Sequence, residues 1–341
     1  MARRRLAIIG LGMAVTPHAR SLLDLQERVQ VAAAYSPSEV RRADFAARFP
    51  FLPVAGLDAI LADPTIDFVA ILTPPNTHLD LVRRAAAAGK HILLEKPLEI
   101  TTERATELVR VCREARVKLG VVLQHRFRPA GMRLRELLRA GALGNLVGCS
   151  TAIRLWRPQS YYDEPGRGTK ARDGGGVLLT QGIHTLDLML SLAGPVAEVS
   201  GYATTTSVHR METEDMVCAA VKFAGGAVGV IEATTSAYPG FPERIEITGE
   251  TATAVLAGTR LQVFHHDGGV IDVAPDTTAG GTGADPMAFP HDYHRALLTD
   301  YLDALDESRE PAVNGEEALK VHRLIDALLA ASAANRSVKV G

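Results

Sequence analysis

From Leu6 to Leu123 the chain alternates short, mainly apolar runs with amphipathic stretches, and this alternation restricts the fold more than any other feature. Leu6-Ala7-Ile8-Ile9 is the first run and ends in a glycine; residues 29–34, 68–72, 91–94 and 119–123 repeat it. Between them, residues 17–28, 39–49, 79–88 and 102–115 place apolar side chains at helical spacing, as in the stripe Ala19, Leu22, Leu23 and Leu25. Thr101 or Thr102, followed by Glu103, marks the start of the last of these helices. A strand with no polar face must be covered on both sides. Five such strands joined by helices therefore predict a parallel sheet with helices on either face.

The pattern changes near residue 124. A helix over 132–140 ends at Gly141, and strand-like segments follow at 147–155, 196–204, 216–223, 227–234, 244–248, 252–256 and 261–264. Gly225-Gly226 predicts a tight hairpin between two of them. One longer helix is expected over 178–193 and two more over 292–306 and 316–334, with a mobile loop, rich in Gly, Thr, Asp and Pro, over 275–290. The chain is 341 residues long, which agrees with two domains, placed at 1–123 and 124–341.

Composition removes several classes of function. Apolar residues make up 47 % of the chain, enough for a sizeable core, so general disorder is excluded. Lys and Arg number 37 against 39 Asp and Glu, so there is no basic excess and no nucleic-acid partner is expected. No apolar run reaches the ~18–20 residues of a membrane span. Arg3 to Arg5 are followed by too short an apolar stretch for a secretion signal. Cys112, Cys149 and Cys218 form neither a disulfide framework nor a zinc spacing, which points to a reducing, cytoplasmic compartment.

Several motifs carry chemistry. Gly10-Leu11-Gly12-Met13 lies between a strand and a helix, the context of a dinucleotide fingerprint; Val15 stands where a third glycine would be. Gly10 permits the tight turn, and Gly12 lets backbone approach a pyrophosphate at a helix N-terminus. The second strand ends in Tyr35-Ser36-Pro37-Ser38, without the acid that would read ribose hydroxyls. Ser36 and Ser38 suit a 2′-phosphate instead, with Arg41 or Arg42 within reach, which favours NADP over NAD. Thr73-Pro74-Pro75-Asn76-Thr77-His78 makes an extended turn after the third strand, with Asn76 or Thr77 to cap the next helix. Glu95-Lys96-Pro97 closes the fourth strand, at the edge where open α/β sheets bind ligands, so Lys96 is a candidate to meet a substrate hydroxyl.

Taken in order, these segments resemble the Gfo/Idh/MocA oxidoreductases. The resemblance continues through Gln124-His125-Arg126-Phe127-Arg128-Pro129, Gly141-Ala142-Leu143-Gly144, Asp173-Gly174-Gly175-Gly176, Gln181-Gly182-Ile183-His184-Thr185-Leu186-Asp187, Glu214-Asp215 and Asn314-Gly315-Glu316-Glu317-Ala318. It implies an N-terminal Rossmann domain and a C-terminal α+β domain on an open, mostly antiparallel sheet. It also implies an NAD(P)-dependent enzyme that moves a hydride between the cofactor and a secondary alcohol or ketone of a sugar, sugar acid or cyclitol. Homodimers or homotetramers are the implied assembly.

On the same basis Lys96 and His184 are the catalytic pair. His184 would take the hydroxyl proton and a charged Lys96 would stabilise the alkoxide. Gly10, Gly12, Met13, Ser36, Ser38, Arg41, Thr73, Pro74, Asn76, His78, Glu95, Lys96 and Gln124 would hold the cofactor. Trp156, Tyr162, Arg167, Thr180, Gln181, Lys96 and His184 would face the substrate. Trp and Tyr faces suit a sugar ring and Arg suits a carboxylate or phosphate, and Tyr161 and Arg157 lie in the same segment. Asp187, one helical turn beyond His184, is a candidate to fix the imidazole tautomer. Thr180 stands where many relatives carry an aspartate, which argues against inositol-type specificity. His265-His266-Asp267 and His291-Asp292-Tyr293-His294 are expected to be solvated loop residues, and no metal is expected. Two other functions fit the same family: cofactor-recycling glycoside cleavage and a non-catalytic NAD(P) sensor.

Overall fold

The computed structural model describes residues 3–275 and 290–341, so most of the loop expected over 275–290 lies outside the described residues. The chain forms two units, Met1–Gln124 with His291–Leu319, and His125–Pro290 with Lys320–Gly341.

The first unit contains β1 (Arg4–Ile9), α1 (Val15–Asp24), β2 (Val29–Tyr35), α2 (Glu39–Arg48), β3 (Pro53–Val54), α3 (Leu57–Ala62), β4 (Phe68–Ile71), α4 (His78–Ala87), β5 (His91–Leu94), α5 (Thr102–Glu114) and β6 (Leu119–Val121). Its six strands pair in the order β3-β2-β1-β4-β5-β6, all parallel. This is the Rossmann order, with the switch point between β1 and β4. Leu6, Ile8, Phe68, Ile71, Ile92 and Leu94 are fully buried, as strands covered on both faces must be. Thr101, not Thr102, caps α5, its side chain accepting from the Arg104 N–H.

A later segment completes this unit. In the helix Asp292–Asp306, Leu297, Leu298, Tyr301 and Leu302 are buried, and the Tyr301 ring packs on Phe68 at 5.4 Å. Val121 N–H bonds to Val313 O at 2.9 Å, which extends the edge of the sheet. The single boundary expected after residue 123 therefore gives way to a division in which His291–Leu319 returns to the first unit. Local periodicity marks such a helix but not the surface that buries it.

The second unit contains α6 (Pro129–Arg139), β7 (Leu146–Arg154), α7 (Gln159–Tyr162), α8 (Lys170–Asp173), α9 (Val177–Thr180), α10 (Ile183–Ala193), β8 (Val196–Thr204), β9 (Met216–Phe223), β10 (Val228–Thr234), β11 (Arg244–Gly249), β12 (Ala252–Ala257), β13 (Arg260–His265) and β14 (Val270–Val273). The helices α11 (Asp292–Asp306) and α12 (Gly315–Ala334) and the short β15 (Val338–Lys339) end the chain, with the division between units falling inside α12. The nine-stranded sheet runs β14-β13-β12-β11-β7-β10-β9-β8-β15. Only β7 and β10 pair parallel; every other neighbour is antiparallel. The hairpin expected at Gly225-Gly226 joins β9 to β10, closed by Gly226 N–H to Phe223 O at 2.9 Å. One sheet face packs on α6, α9 and α10. The other is open and carries Val228 and Val230 of β10, Tyr202 of β8 and Phe264 of β13, all exposed.

The helix expected over 178–193 is broken. Gly182 N–H reaches back to Val177 O at 2.7 Å instead of the residue four before it, and the stretch Lys170–Thr180 meets Ile183–Ala193 at a bend of 48°. His184 and Asp187 still share α10. Among the described residues, no single helix is long and apolar enough to cross a membrane.

Candidate active site

The first unit carries the residues expected to hold the cofactor. Gly10 follows β1 with φ +108°, and a Cβ there would lie 2.8 Å from the backbone of Leu72. Only glycine permits this conformation and approach together. Gly12 differs: a Cβ built on it would meet nothing within 4 Å except Arg41 Nη1 at 3.9 Å. Open space above a turn at the mouth of α1 is what a pyrophosphate needs. Met13, Arg41, Pro74 and Asn76 are exposed and Thr73 half-buried, its hydroxyl accepting from Thr77 at 2.7 Å. Gln124 is 6 % exposed, yet its Oε1 has no hydrogen-bond partner. A shielded carbonyl left without a donor is costly, and a carboxamide N–H such as that of nicotinamide would satisfy it. These residues fit a pyridine dinucleotide.

Three expected cofactor contacts take other roles. Ser38 caps α2, its Oγ accepting from Arg41 N–H at 3.3 Å, and Ser36 Oγ accepts from Ser38 N–H at 3.2 Å. Both oxygens thus serve the turn that starts α2, and Ser36 is buried. His78 is 0 % exposed, with Nε2 2.9 Å from Thr73 O and Nδ1 3.1 Å from the carbonyls of Pro97 and Leu98. It joins the turn after β4 to the turn after β5 and has no surface left for a ligand.

Glu95 follows β5. Its Oε2 accepts the Lys96 N–H at 3.0 Å and its Oε1 lies 2.8 Å from His18 Nε2. Burial pushes the Glu95 carboxyl up, but the His18 hydrogen bond and the nearby His18 and Lys96 charges hold it below the usual range. Lys96 itself is half-buried. His294 is not a solvated loop residue. It sits in α11, buried against His18 with ring centroids 5.0 Å apart, and burial pushes its pKa down to about 3.

The buried histidines make acid stability testable. Burial also pushes His78 down, so His78 and His294 are neutral in the fold at neutral pH. Unfolded, each takes a proton near pH 6.5. Between that pH and the lower folded values the unfolded chain binds more protons, so stability falls as pH falls. Urea midpoints at pH 7.5, 6 and 5 should drop in that order. His294→Gln should flatten the slope, and an unchanged slope would refute the cause.

The second unit carries the residues, Lys96 apart, that are expected to face substrate. A Cβ on Gly176 would lie 1.8 Å from Glu214 O, so this glycine is required by close approach. Glu214 fixes the turn: its carboxylate accepts from Gly176 N–H at 3.1 Å and Leu178 N–H at 3.2 Å, and its carbonyl from Val177 N–H at 2.8 Å. Burial pushes the Glu214 carboxyl up. Asp215, fully buried, bonds His209 Nδ1 at 2.6 Å and Thr206 at 2.7 Å, which ties the neighbouring loop down.

From this anchored turn the chain delivers Thr180, Gln181 and His184. Thr180 Oγ1 donates to Gly176 O at 2.6 Å and also contacts Gln181 Oε1, so it serves the backbone and its neighbour. His184 is half-exposed in the first turn of α10 and stacks on the His125 ring, centroids 4.7 Å apart and planes 28° apart. Asp187 does not orient His184 as expected. Its two oxygens take a bidentate bond from Arg126, 2.7 Å to Nε and 2.6 Å to Nη2, both side chains almost wholly buried. The stacked His125 is the group beside His184 instead.

Trp156 is half-exposed, edge-on to Tyr238 at 5.5 Å. Tyr162, expected to face substrate, is buried, its hydroxyl 2.8 Å from Thr235 Oγ1, and burial pushes its pKa up. Its neighbour Tyr161 is the accessible one. Its hydroxyl accepts from Arg167 Nη1 at 2.7 Å and Gln181 Nε2 at 3.4 Å, and the Arg167 guanidinium lies 4.2 Å from its ring centroid.

Sequence reasoning gave no role to His18, His125 or Arg126. The signal for His18 was available: it lies beside Ala19 on the apolar stripe of α1, where a polar side chain needs a buried partner.

Comparison with known proteins agrees with both halves. Residues 4–123 match the oxidoreductase family with an NAD-binding Rossmann fold, and residues 132–255 match the GFO/IDH/MocA C-terminal domain. The chain is 28 % identical over 301 residues to inositol 2-dehydrogenase of Rhizobium meliloti, covering 84 % of each protein. It is likewise 28 % identical to the NAD(+)-dependent scyllo-inositol 2-dehydrogenase of Bacillus subtilis, covering 80 % of each. Its structure resembles that of the WlbA dehydrogenase of Bordetella pertussis in complex with NADH and UDP-GlcNAcA, with a TM-score of 0.85 at 25 % identity, covering 100 % of this chain and 99 % of the other. With matching domains in both units and an NAD-binding sheet in the first, the chain belongs to the Gfo/Idh/MocA family of oxidoreductases.

Proposed function

We propose that this enzyme transfers a hydride between a nicotinamide cofactor and a secondary alcohol or ketone carbon of a sugar-like substrate. The observation that carries the reading is that the chain keeps both Lys96, directly after β5, and a half-exposed His184 at the start of α10. The cofactor, when bound, supplies or accepts the hydride. The other steps belong to the chain. An imidazole nitrogen of His184 takes the alcohol proton in oxidation and returns it in reduction. Lys96 Nζ, charged, donates a hydrogen bond to the alcohol oxygen and stabilises its developing negative charge. Gly10, Gly12 and Gln124 bind and orient the dinucleotide.

A substrate bearing a carboxylate is favoured over a neutral cyclitol. Arg157, buried, and Arg167 lie 5.8 Å and 4.2 Å from the Tyr161 ring centroid, and Tyr161 also contacts Gln181. Two guanidinium groups around one accessible aromatic ring suit a sugar acid. The WlbA relative was crystallised with UDP-GlcNAcA, which supports this choice, and Thr180 in place of the usual aspartate speaks against the inositols of the other two relatives. Arg41, exposed beside Gly12, favours NADP over NAD, now without help from Ser36 and Ser38.

A panel of sugars, sugar acids and cyclitols with NAD and NADP, followed by absorbance of the reduced nicotinamide, tests all of this. Turnover of a sugar acid with NADP is the expected result. No turnover and no binding of either dinucleotide would sink the proposal, and strong preference for NAD would remove the role of Arg41. We further propose that the open sheet face, with Val228, Val230, Tyr202 and Phe264 exposed, joins a second copy of the chain into a dimer or tetramer, to be read by light scattering. The free thiols of Cys112, Cys149 and Cys218 support a cytoplasmic location.

A further inference from the structure

His18, Glu95 and His294 meet inside the first unit, and the proposed chemistry leaves both histidines unused. They are 4 %, 9 % and 4 % exposed. A carboxylate buried this deeply is retained only when its oxygens are satisfied. Glu95 meets that condition with two partners, one on each carboxylate oxygen. Oε1 lies 2.8 Å from His18 Nε2 on α1, and Oε2 accepts the Lys96 N–H at 3.0 Å. Glu95 N–H in turn donates to Ile71 O at 2.9 Å, so this stretch of backbone is held to β4 as well. The His294 ring meets the His18 ring edge to face, centroids 5.0 Å apart, and burial keeps the His294 ring neutral, so it does not compete as a cation for the carboxylate.

We propose that His18 and Glu95 are the positioning pair of the Lys96 amine: His18 clamps the carboxylate, and the carboxylate clamps the peptide from which the Lys96 side chain departs. The proposal rests on the reading of Lys96 given above. Neither residue touches substrate, so both act through Lys96. The charge of Glu95, one residue from the amine, also favours the ammonium form, the form that donates to an alkoxide. The titratable groups that interact with Glu95 are His18 from α1, His78 from α4, His294 from α11 and Lys96 itself.

The test needs no substrate. The lysines of the full-length protein are reductively methylated with 13C-formaldehyde, and the Lys96 resonance, identified by its loss in Lys96→Met, is titrated by NMR. Glu95→Gln should lower the Lys96 midpoint by about one pH unit, because an ionised neighbour is lost. His18→Leu should move the midpoint and broaden the resonance. His18→Gln, whose amide can still donate to Oε1, should restore the wild-type signal. If His18→Leu and Glu95→Gln lower the melting temperature but leave the Lys96 midpoint and line shape unchanged, the pair is structural only and the proposal fails. It also fails if elemental analysis finds stoichiometric zinc that His294→Ala removes, since ligand atoms of all three residues lie within 4.8 Å of one another and would then be metal ligands. Titration of the same samples with NADH and NADPH separates the two ideas: absence of binding of either by the wild type would sink the dehydrogenase reading without affecting the Lys96 titration.

Discussion

Lys96→Met lowers kcat/KM for hydride transfer by ~10²–10⁴. Methionine keeps the length and the apolar stem of lysine but removes the three donors and the charge. The loss should fall mainly on kcat, because stabilising a developing alkoxide is an interaction made in the transition state and not in the ground state. His184→Ala should cost a similar factor through loss of proton transfer. The double variant should lose much less than the product of the two, since groups that serve one proton transfer act as a unit. Single-turnover rates with the best alcohol of the panel, together with NADH affinity from fluorescence, decide the matter. Near-normal turnover by Lys96→Met would remove the amine from the mechanism. Tight dinucleotide binding without turnover of any alcohol by the wild type would favour a sensor.

Asp187→Ala should destabilise the fold by ~3–5 kcal/mol. The carboxylate is held by both Nε and Nη2 of Arg126, and its removal takes both of these charge-assisted bonds from a buried guanidinium. The urea midpoint should fall with little change in slope. Asp187→Asn, which keeps one acceptor, should fall between. Replacing both partners by apolar residues, Arg126→Met with Asp187→Leu, should recover much of the loss, because the pair then leaves no charge stranded. If Asp187→Ala instead shifted the pH profile of turnover while leaving the urea midpoint in place, Asp187 would be tied to His184 after all.

That second prediction shows where sequence reading stops. The spacing of His184 and Asp187 is correct for one face of a helix, and both do lie on α10. The partner of Asp187 comes from Arg126, 61 positions earlier, and no local pattern announces it. Residues 160–162 teach the same lesson: composition marks an aromatic segment, but which tyrosine is buried depends on Thr235, far along the chain. The parallel sheet was legible because buried strands must be apolar on both faces, and the order of elements in the first unit leaves few topologies. The short β3, α7, α8 and β15 were not, since two to four residues carry no period. Gly10 announced itself because its conformation excludes other residues; Ser36 and Ser38 misled because a hydroxyl suits a helix cap as well as a phosphate.

The return of His291–Leu319 to the first unit has a consequence for synthesis. A ribosome that has finished all six strands of the parallel sheet has still to make about half of the chain before Tyr301 emerges to cover Phe68. Until then the nascent first unit exposes an apolar face, and a transcript or protease cut that ends the chain near residue 290 leaves that face bare for good. Such fragments should be the ones that chaperones hold and that precipitate when overproduced.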